Sequence, residues 1–135
     1  ARKETLMEKV TFKNLIQTSR CVVLADGYYE WKRETKNKVP YYFTKDDGKI
    51  MFFAAIHQNN QFCIITREAT EKISEIHHRE PLIINQNQIN NYLNIKKEAM
   101  EILNSIKPPN LKFHAISKDV NNPVNNDPAL IKSIS

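Results

Sequence analysis

Short apolar runs separated by turn residues dominate the first half of the chain. Apolar side chains cluster at 21–25, 28–31, 39–43, 50–56 and 62–66. Runs this short, rich in Val, Ile, Tyr and Phe, predict β-strands. Only two glycines occur, and both follow aspartate between apolar runs, at Asp26-Gly27 and at Asp46-Asp47-Gly48. Asp-Gly tolerates the positive backbone angles of tight turns, so 26–27 predicts a turn or bulge and 46–48 a hairpin. The expectation is one continuous antiparallel sheet across 20–66, curved at Asp26-Gly27 so that short strands can enclose a core.

On either side the pattern turns helical. Leu6, Val10, Phe12 and Ile16 predict a helix over 6–16. Three more helices are expected at 69–76, 86–93 and 98–106, the last stopped by Pro108-Pro109. Residues 111–116 return to a strand. The Asn- and Pro-rich tail at 120–128 reads as turns. Asp127-Pro128 predicts a final short helix, with Asp as the cap and Pro in its first position. The fold class is α+β: a curved, largely antiparallel, barrel-like sheet with peripheral helices, in a single domain over 1–135.

Composition narrows the class. Of the 135 residues, 41% are apolar and 26% charged, an ordinary globular balance. No apolar run approaches the roughly 18–20 residues that span a bilayer, so no membrane partner is expected and the expected compartment is the cytoplasm. The opening, Ala1-Arg2-Lys3-Glu4-Thr5, is charged and lacks methionine; it reads as the interior of a longer, N-terminally incomplete domain. A net charge of +5 and a pI near 9.2 are compatible with a polyanionic partner. Cys21 and Cys63 stand far apart in apolar runs, with no Cys/His ligand spacing, so neither a metal nor another cofactor is expected. They read as small buried thiols.

Three segments carry a recognisable chemistry. Ala1-Arg2-Lys3-Glu4-Thr5 resembles the end of an Asn-Ala-Arg-x-Glu-Thr motif. The string Arg20-Cys21-Val22-Val23-Leu24-Ala25-Asp26-Gly27-Tyr28-Tyr29-Glu30-Trp31 resembles Arg-Cys…Ala-Asp-Gly-Phe-Tyr-Glu-Trp. Ile76-His77-His78-Arg79-Glu80-Pro81 resembles Ile-His-x-Arg-Met-Pro. Together with Val120-Asn121-Asn122-Pro123, and in this order, they resemble the later part of the SRAP (SOS response-associated peptidase) domain over nearly the whole chain.

That resemblance implies a function and roles. The family captures abasic sites in single-stranded DNA as a covalent, protective crosslink, through a cysteine at position 2 that this sequence does not contain. Lyase-type activity on DNA accompanies that reading. Glu30 and His77 match the motif's glutamate and histidine, and are implied as catalytic groups that move protons during imine formation. They are expected to converge on one cleft. Arg2 and Arg79 match motif arginines, implied as phosphate contacts. Trp31 is implied as an aromatic face for a base, against the commoner role of a core tryptophan. Glu4 is expected to pair with Arg2 or to cap the helix that follows. Asn121 and Asn122 are expected to fix a turn.

Three departures bear on the transfer. The capturing cysteine is absent, Glu80 stands where the motif has methionine, and His57 stands where tryptophan is frequent. Two further readings follow: a non-catalytic fragment with weak affinity for single-stranded DNA, and a cysteine peptidase using Cys21 with His77 as base. The apolar flanks of Cys21 argue against the second, since burial disfavours the thiolate.

Overall fold

The computed structural model describes residues 1–34 and 36–134. Among the described residues, eight strands form three antiparallel groups. β1 (Arg20–Ala25), β4 (Met51–Gln58) and β5 (Gln61–Ile64) make one sheet in the order β1-β4-β5. β2 (Tyr28–Glu34), β3 (Asn37–Lys45) and β8 (Leu111–Ala115) make a second, in the order β2-β3-β8. β6 (Thr66–Glu68) and β7 (Arg79–Pro81) form a small ribbon, with Arg67 opposite Glu80.

The antiparallel α+β class stands, but the expected continuous sheet does not. Residues 20–66 divide between separate sheets, and these do not close into a barrel. The reason lies at the two Asp-Gly sites. At Gly27 the chain leaves β1 and enters β2, which belongs to the other sheet. A Cβ on Gly27 would collide with the Phe43 carbonyl oxygen and the Tyr42 ring, so the glycine serves close approach at a crossover. Gly48, at φ +71°, closes a turn in which its N–H donates to the Lys45 carbonyl at 3.0 Å. That turn returns the chain from β3 to β4, again between sheets, and so is not a hairpin. The β4–β5 hairpin turns instead on Asn59 (φ 52°) and Asn60 (φ 62°). Two consecutive positive angles in a two-residue loop match the strand twist, and Asn accepts them better than most residues.

The helices are shorter than the periodicity predicts. Residues Lys3–Thr5 form a single 3₁₀ turn, and α1 (Val10–Thr18) starts four residues after Leu6, which is buried. α2 covers Glu71–Ser74, α3 Ile89–Leu93 after a 3₁₀ turn at Gln86–Gln88, and α4 Ala99–Ser105. Elements of one or two turns are stable only through tertiary packing. At the tail, the Asp127 carboxylate accepts the Ala129 N–H at 2.8 Å, and Pro128 begins the 3₁₀ turn, as the sequence predicts.

Two apolar clusters hold the molecule together. The first packs Leu6, Ile16, Ile56, Tyr92 and Leu103 around the β1-β4-β5 sheet. Its margin carries Arg20, whose guanidinium donates to the carbonyls of Ile16, Tyr92, Asn94 and Lys97 at 2.6–3.0 Å. One side chain thereby satisfies the carbonyl-rich ends of α1 and α3. The second cluster joins Phe43 and Leu111 of one sheet to Met51 and Phe53 of the other, and adds Ile73, Ile76 and Ile83. Tyr28 stacks flat on Phe43, centroids 4.7 Å apart and planes 5° from parallel, and meets Phe53 edge-on.

Replacing Gly27 with Ala should test the crossover. The new methyl group must displace a ring or a main-chain carbonyl, which costs about 1–3 kcal/mol. Chemical denaturation is expected to show a loss of that size, whereas Gly48→Ala, with nothing within 4 Å of its Cβ, should lose only the backbone strain of about 1 kcal/mol. Equal small losses at both glycines would refute the crossover explanation.

Candidate functional site

Side chains alternate along β2, so Tyr28 and Glu30 share a face and Tyr29 and Trp31 point the other way. His77 follows α2, and its N–H donates to the Ile73 carbonyl at 3.1 Å, while neighbouring Ile76 is buried in the second cluster. These two anchors bring His77 Nε2 to 3.8 Å from Glu30 Oε1, although the residues are far apart in sequence. The distance is that of an ion pair and too long for a direct hydrogen bond.

His77 Nδ1 meets the Arg79 main chain twice, 3.1 Å from its N–H and 3.3 Å from its carbonyl oxygen. In the neutral tautomer that accepts from the N–H, the proton sits on Nε2, on the side of Glu30. His78 stacks against His77, centroids 4.6 Å apart and planes 26° from parallel. Both faces of this arrangement are open. Glu30, His77 and His78 line a cleft of about 770 Å³ and also an adjoining cavity of about 300 Å³. Trp31, Lys32, Arg33, Lys38 and Asn121 line the larger one; Arg2, Thr66, Arg79 and Glu80 line the smaller.

The other sequence-predicted residues fall around that centre. Arg2 is exposed at the smaller cavity, and its main chain is held because it bridges to Thr66, whose N–H donates to the Ala1 carbonyl at 2.7 Å. Arg79 is largely buried. Its Nη2 donates to Glu4 Oε2 at 2.8 Å and to Thr66 Oγ1 at 3.0 Å. Glu4 therefore pairs with Arg79, and neither expected alternative, pairing with Arg2 or capping α1, is found. Partial burial acts to raise the Glu4 carboxyl, but hydrogen bonds from Arg79 and from the main chain, with the charge of Arg79, outweigh it and bring it down to about 2. Trp31 is half-buried at the cleft wall, its indole N–H donating to Asn121 Oδ1 at 2.7 Å. It is thus not a fully buried core residue.

Beneath Glu30 the surroundings are less polar. Glu80 is 4% exposed; Thr70 donates to its Oε2 through N–H and hydroxyl, each at 3.4 Å, and Arg67 Nε lies 3.7 Å from its Oε1. Burial pushes its carboxyl up, against the pull of Thr70 and Arg67. Cys21 lies on β1, lines neither cavity that holds His77, and its thiol is pushed up by burial. A Cys21–His77 nucleophile pair has no geometric basis here.

Sequence reasoning missed Asn121 as the partner of Trp31, His78 as the ring beside His77, and the cationic edge of β2 and β3. The i, i+1 cations Lys32-Arg33 beside the motif were a visible signal. The Asn121 contact was not, because it joins residues from the two ends of the chain.

The Glu4–Arg79 pair predicts a pH dependence. A carboxyl lowered in the folded state stabilises fully above its unfolded value of 4.5 and loses that contribution as pH falls toward about 2. Melting temperatures of the parent and of Glu4→Gln should therefore differ above pH 4.5 and converge as acid approaches pH 2. A constant difference across that window would show that the pair is not the cause.

Comparison with known proteins shows the family. A model of the family described as SOS response associated peptidase (SRAP) matches residues 1–123. The chain is 33% identical to the abasic site processing protein YedK of Escherichia coli, covering 99% of this chain and 66% of that protein. It is 32% identical to the abasic site processing protein YoqW of Bacillus subtilis, covering 98% and 66%. A crystal structure of a protein from Bacteroides thetaiotaomicron superposes with a TM-score of 0.88 at 30% identity, over all of this chain and 65% of that one. The chain thus spans just under two thirds of the length of these relatives, and on the match over residues 1–123 it belongs to the SRAP family.

Proposed function

We propose that this chain is the larger part of a domain that recognises abasic sites in single-stranded DNA and captures them covalently. The observation that carries the reading is the convergence of Glu30 and His77, 3.8 Å apart, in an open cleft of an SRAP-family chain. The names of the relatives support DNA with abasic sites as the substrate. Lys32, Arg33 and Lys38 along the larger cleft, and Arg2 at the smaller cavity, supply the cations a phosphate backbone requires. Trp31, braced by Asn121, offers an aromatic surface beside them.

The chemistry follows from the groups. An open-chain abasic site presents an aldehyde. A neutral α-amine adds to its carbon, giving a carbinolamine; loss of water gives the imine. Glu30 takes the proton that the amine sheds, and His77, donating through Nε2, delivers one to the departing hydroxyl. The thiol of the same terminal cysteine then adds to the imine carbon as the nitrogen takes up a proton, closing a five-membered thiazolidine. In this reading that cysteine belongs to the upstream part of the full-length protein. Cys21 and Cys63 cannot replace it, because their nitrogens are amides without a nucleophilic lone pair. Arg79, engaged by Glu4, shapes the cleft edge and holds His77 Nδ1 through its main chain.

The test is a denaturing gel without reductant. The full-length protein should give a heat-stable band with a single-stranded oligonucleotide containing an abasic site, and none with the intact oligonucleotide. Glu30→Gln should slow its formation by about 10- to 10⁴-fold. The 135-residue chain alone should give a band only after borohydride. A heat-stable band from that chain, or full-speed capture by Glu30→Gln, would overturn the proposed roles.

A further inference from the structure

The chemistry above uses one face of β2 and leaves the other unexplained. On the face turned away from Glu30, four rings from three strands run in a row. The Tyr29 ring centroid lies 6.4 Å from that of Trp31 and 5.6 Å from that of Tyr42, and Tyr42 lies 6.0 Å from His114. No pair is stacked flat, the planes being tilted by 48–64°. Tyr29 is 37% exposed and the other three rings are half-buried. These rings do not build the core, which takes Phe43, Tyr28 and Phe113 from the opposite face of the sheet. Both ends of the row are held: Trp31 donates to Asn121, and His114 Nε2 donates to the Ile131 carbonyl at 2.6 Å. Charge is sorted in the same way. Arg33, Lys38 and Lys112 alternate onto the aromatic side and are exposed, whereas Glu30 and Glu34 alternate onto the other. Among the described residues of the three strands, no carboxylate occupies a position on the aromatic side. Cross-strand aromatic pairs steady a sheet by themselves, but that role calls for neither three exposed cations nor the exclusion of acids.

Building on the proposed function, we propose that this outer face of the β2-β3-β8 sheet is a second binding surface, which carries the intact single strand leaving the cleft on one side of the abasic site. The surface is continuous with the cleft, because Trp31, Arg33 and Lys38 line both. Every base has a π-face, so a row of rings accepts a strand of any sequence, and the cations beside it meet the phosphates. Tyr29, Tyr42 and His114 extend that row beyond the cleft, over a span suited to about two or three nucleotides. The face thereby supplies affinity for undamaged flanking DNA and takes no part in the proton transfers at Glu30 and His77.

The test measures binding apart from capture. The full-length protein is titrated into an intact, fluorescently labelled oligothymidylate at several salt concentrations, and anisotropy is read. Tyr29→Leu keeps an apolar side chain but removes the π-face; it should weaken binding by about 5- to 150-fold, and Tyr29→Phe should bind like the parent. Lys112→Gln should lower the slope of log affinity against log salt by about 1. Melting temperatures separate lost binding from lost fold, and the exposed Lys112 still decides the matter if Tyr29→Leu does not fold. Parental affinity in a folded Tyr29→Leu, or an unchanged slope in Lys112→Gln, would overturn the proposal. So would a parental dimer, seen by analytical ultracentrifugation, that Tyr29→Leu dissociates without weakening DNA binding, since the face would then join two copies of the chain. Absence of heat-stable capture by the unaltered protein, with the intact strand still bound through Tyr29 and Lys112, would sink the proposed function and support this surface.

Discussion

The contact between Phe43, Phe53 and Ile76 is the one on which the cleft depends. Phe43 belongs to the β2-β3-β8 sheet, Phe53 to the β1-β4-β5 sheet and Ile76 to the segment after α2, and all three meet in one apolar cluster. Each sheet has only three strands and depends on a packed apolar face for its stability. Burying them against each other fixes the face of β2 that carries Tyr28 and Glu30. Burying Ile76 in the same place fixes the position of His77. The 3.8 Å between carboxylate and imidazole is therefore a product of hydrophobic packing rather than of their mutual attraction, which is weak for a half-exposed pair.

The polar contacts refine what packing has placed. The Arg79 main chain holds His77 Nδ1, while its side chain ties Glu4 and Thr66 to the cavity edge. One residue thus orients the imidazole and anchors the first turn of the chain. Arg20 plays the corresponding part in the other cluster, gathering four carbonyls from the ends of two helices and the loop after α3. In both cases a guanidinium, with its fork of donors, ties together segments distant along the chain, Arg20 through backbone carbonyls and Arg79 through the side chains of Glu4 and Thr66.

The polar groups below the cleft show the opposite economy. Tyr28 and Glu80 are buried with long or missing hydrogen bonds. Apolar residues of similar shape would fill the same space at lower cost. Local imperfection of this kind is usual beside sites that handle charge, where a fully satisfied network would leave nothing free to respond.

By itself the sequence determined the family and most of the strands. Alternating and short apolar runs locate β1, β2, β3, β4, β5 and β8 to within a few residues, because a strand's pattern is local. The strings around Glu30 and His77 are specific enough to identify the family. What only the tertiary structure decided is which strands pair. Asp26-Gly27 and Asp46-Asp47-Gly48 look alike as hairpin signals, yet both are crossovers, since the space around Gly27 is set by Tyr42 and Phe43 from another strand. The β6–β7 ribbon, the Glu4–Arg79 pair and the Trp31–Asn121 bond escaped the sequence for the same reason. Each joins residues distant along the chain, and periodicity and propensity hold information only about neighbours.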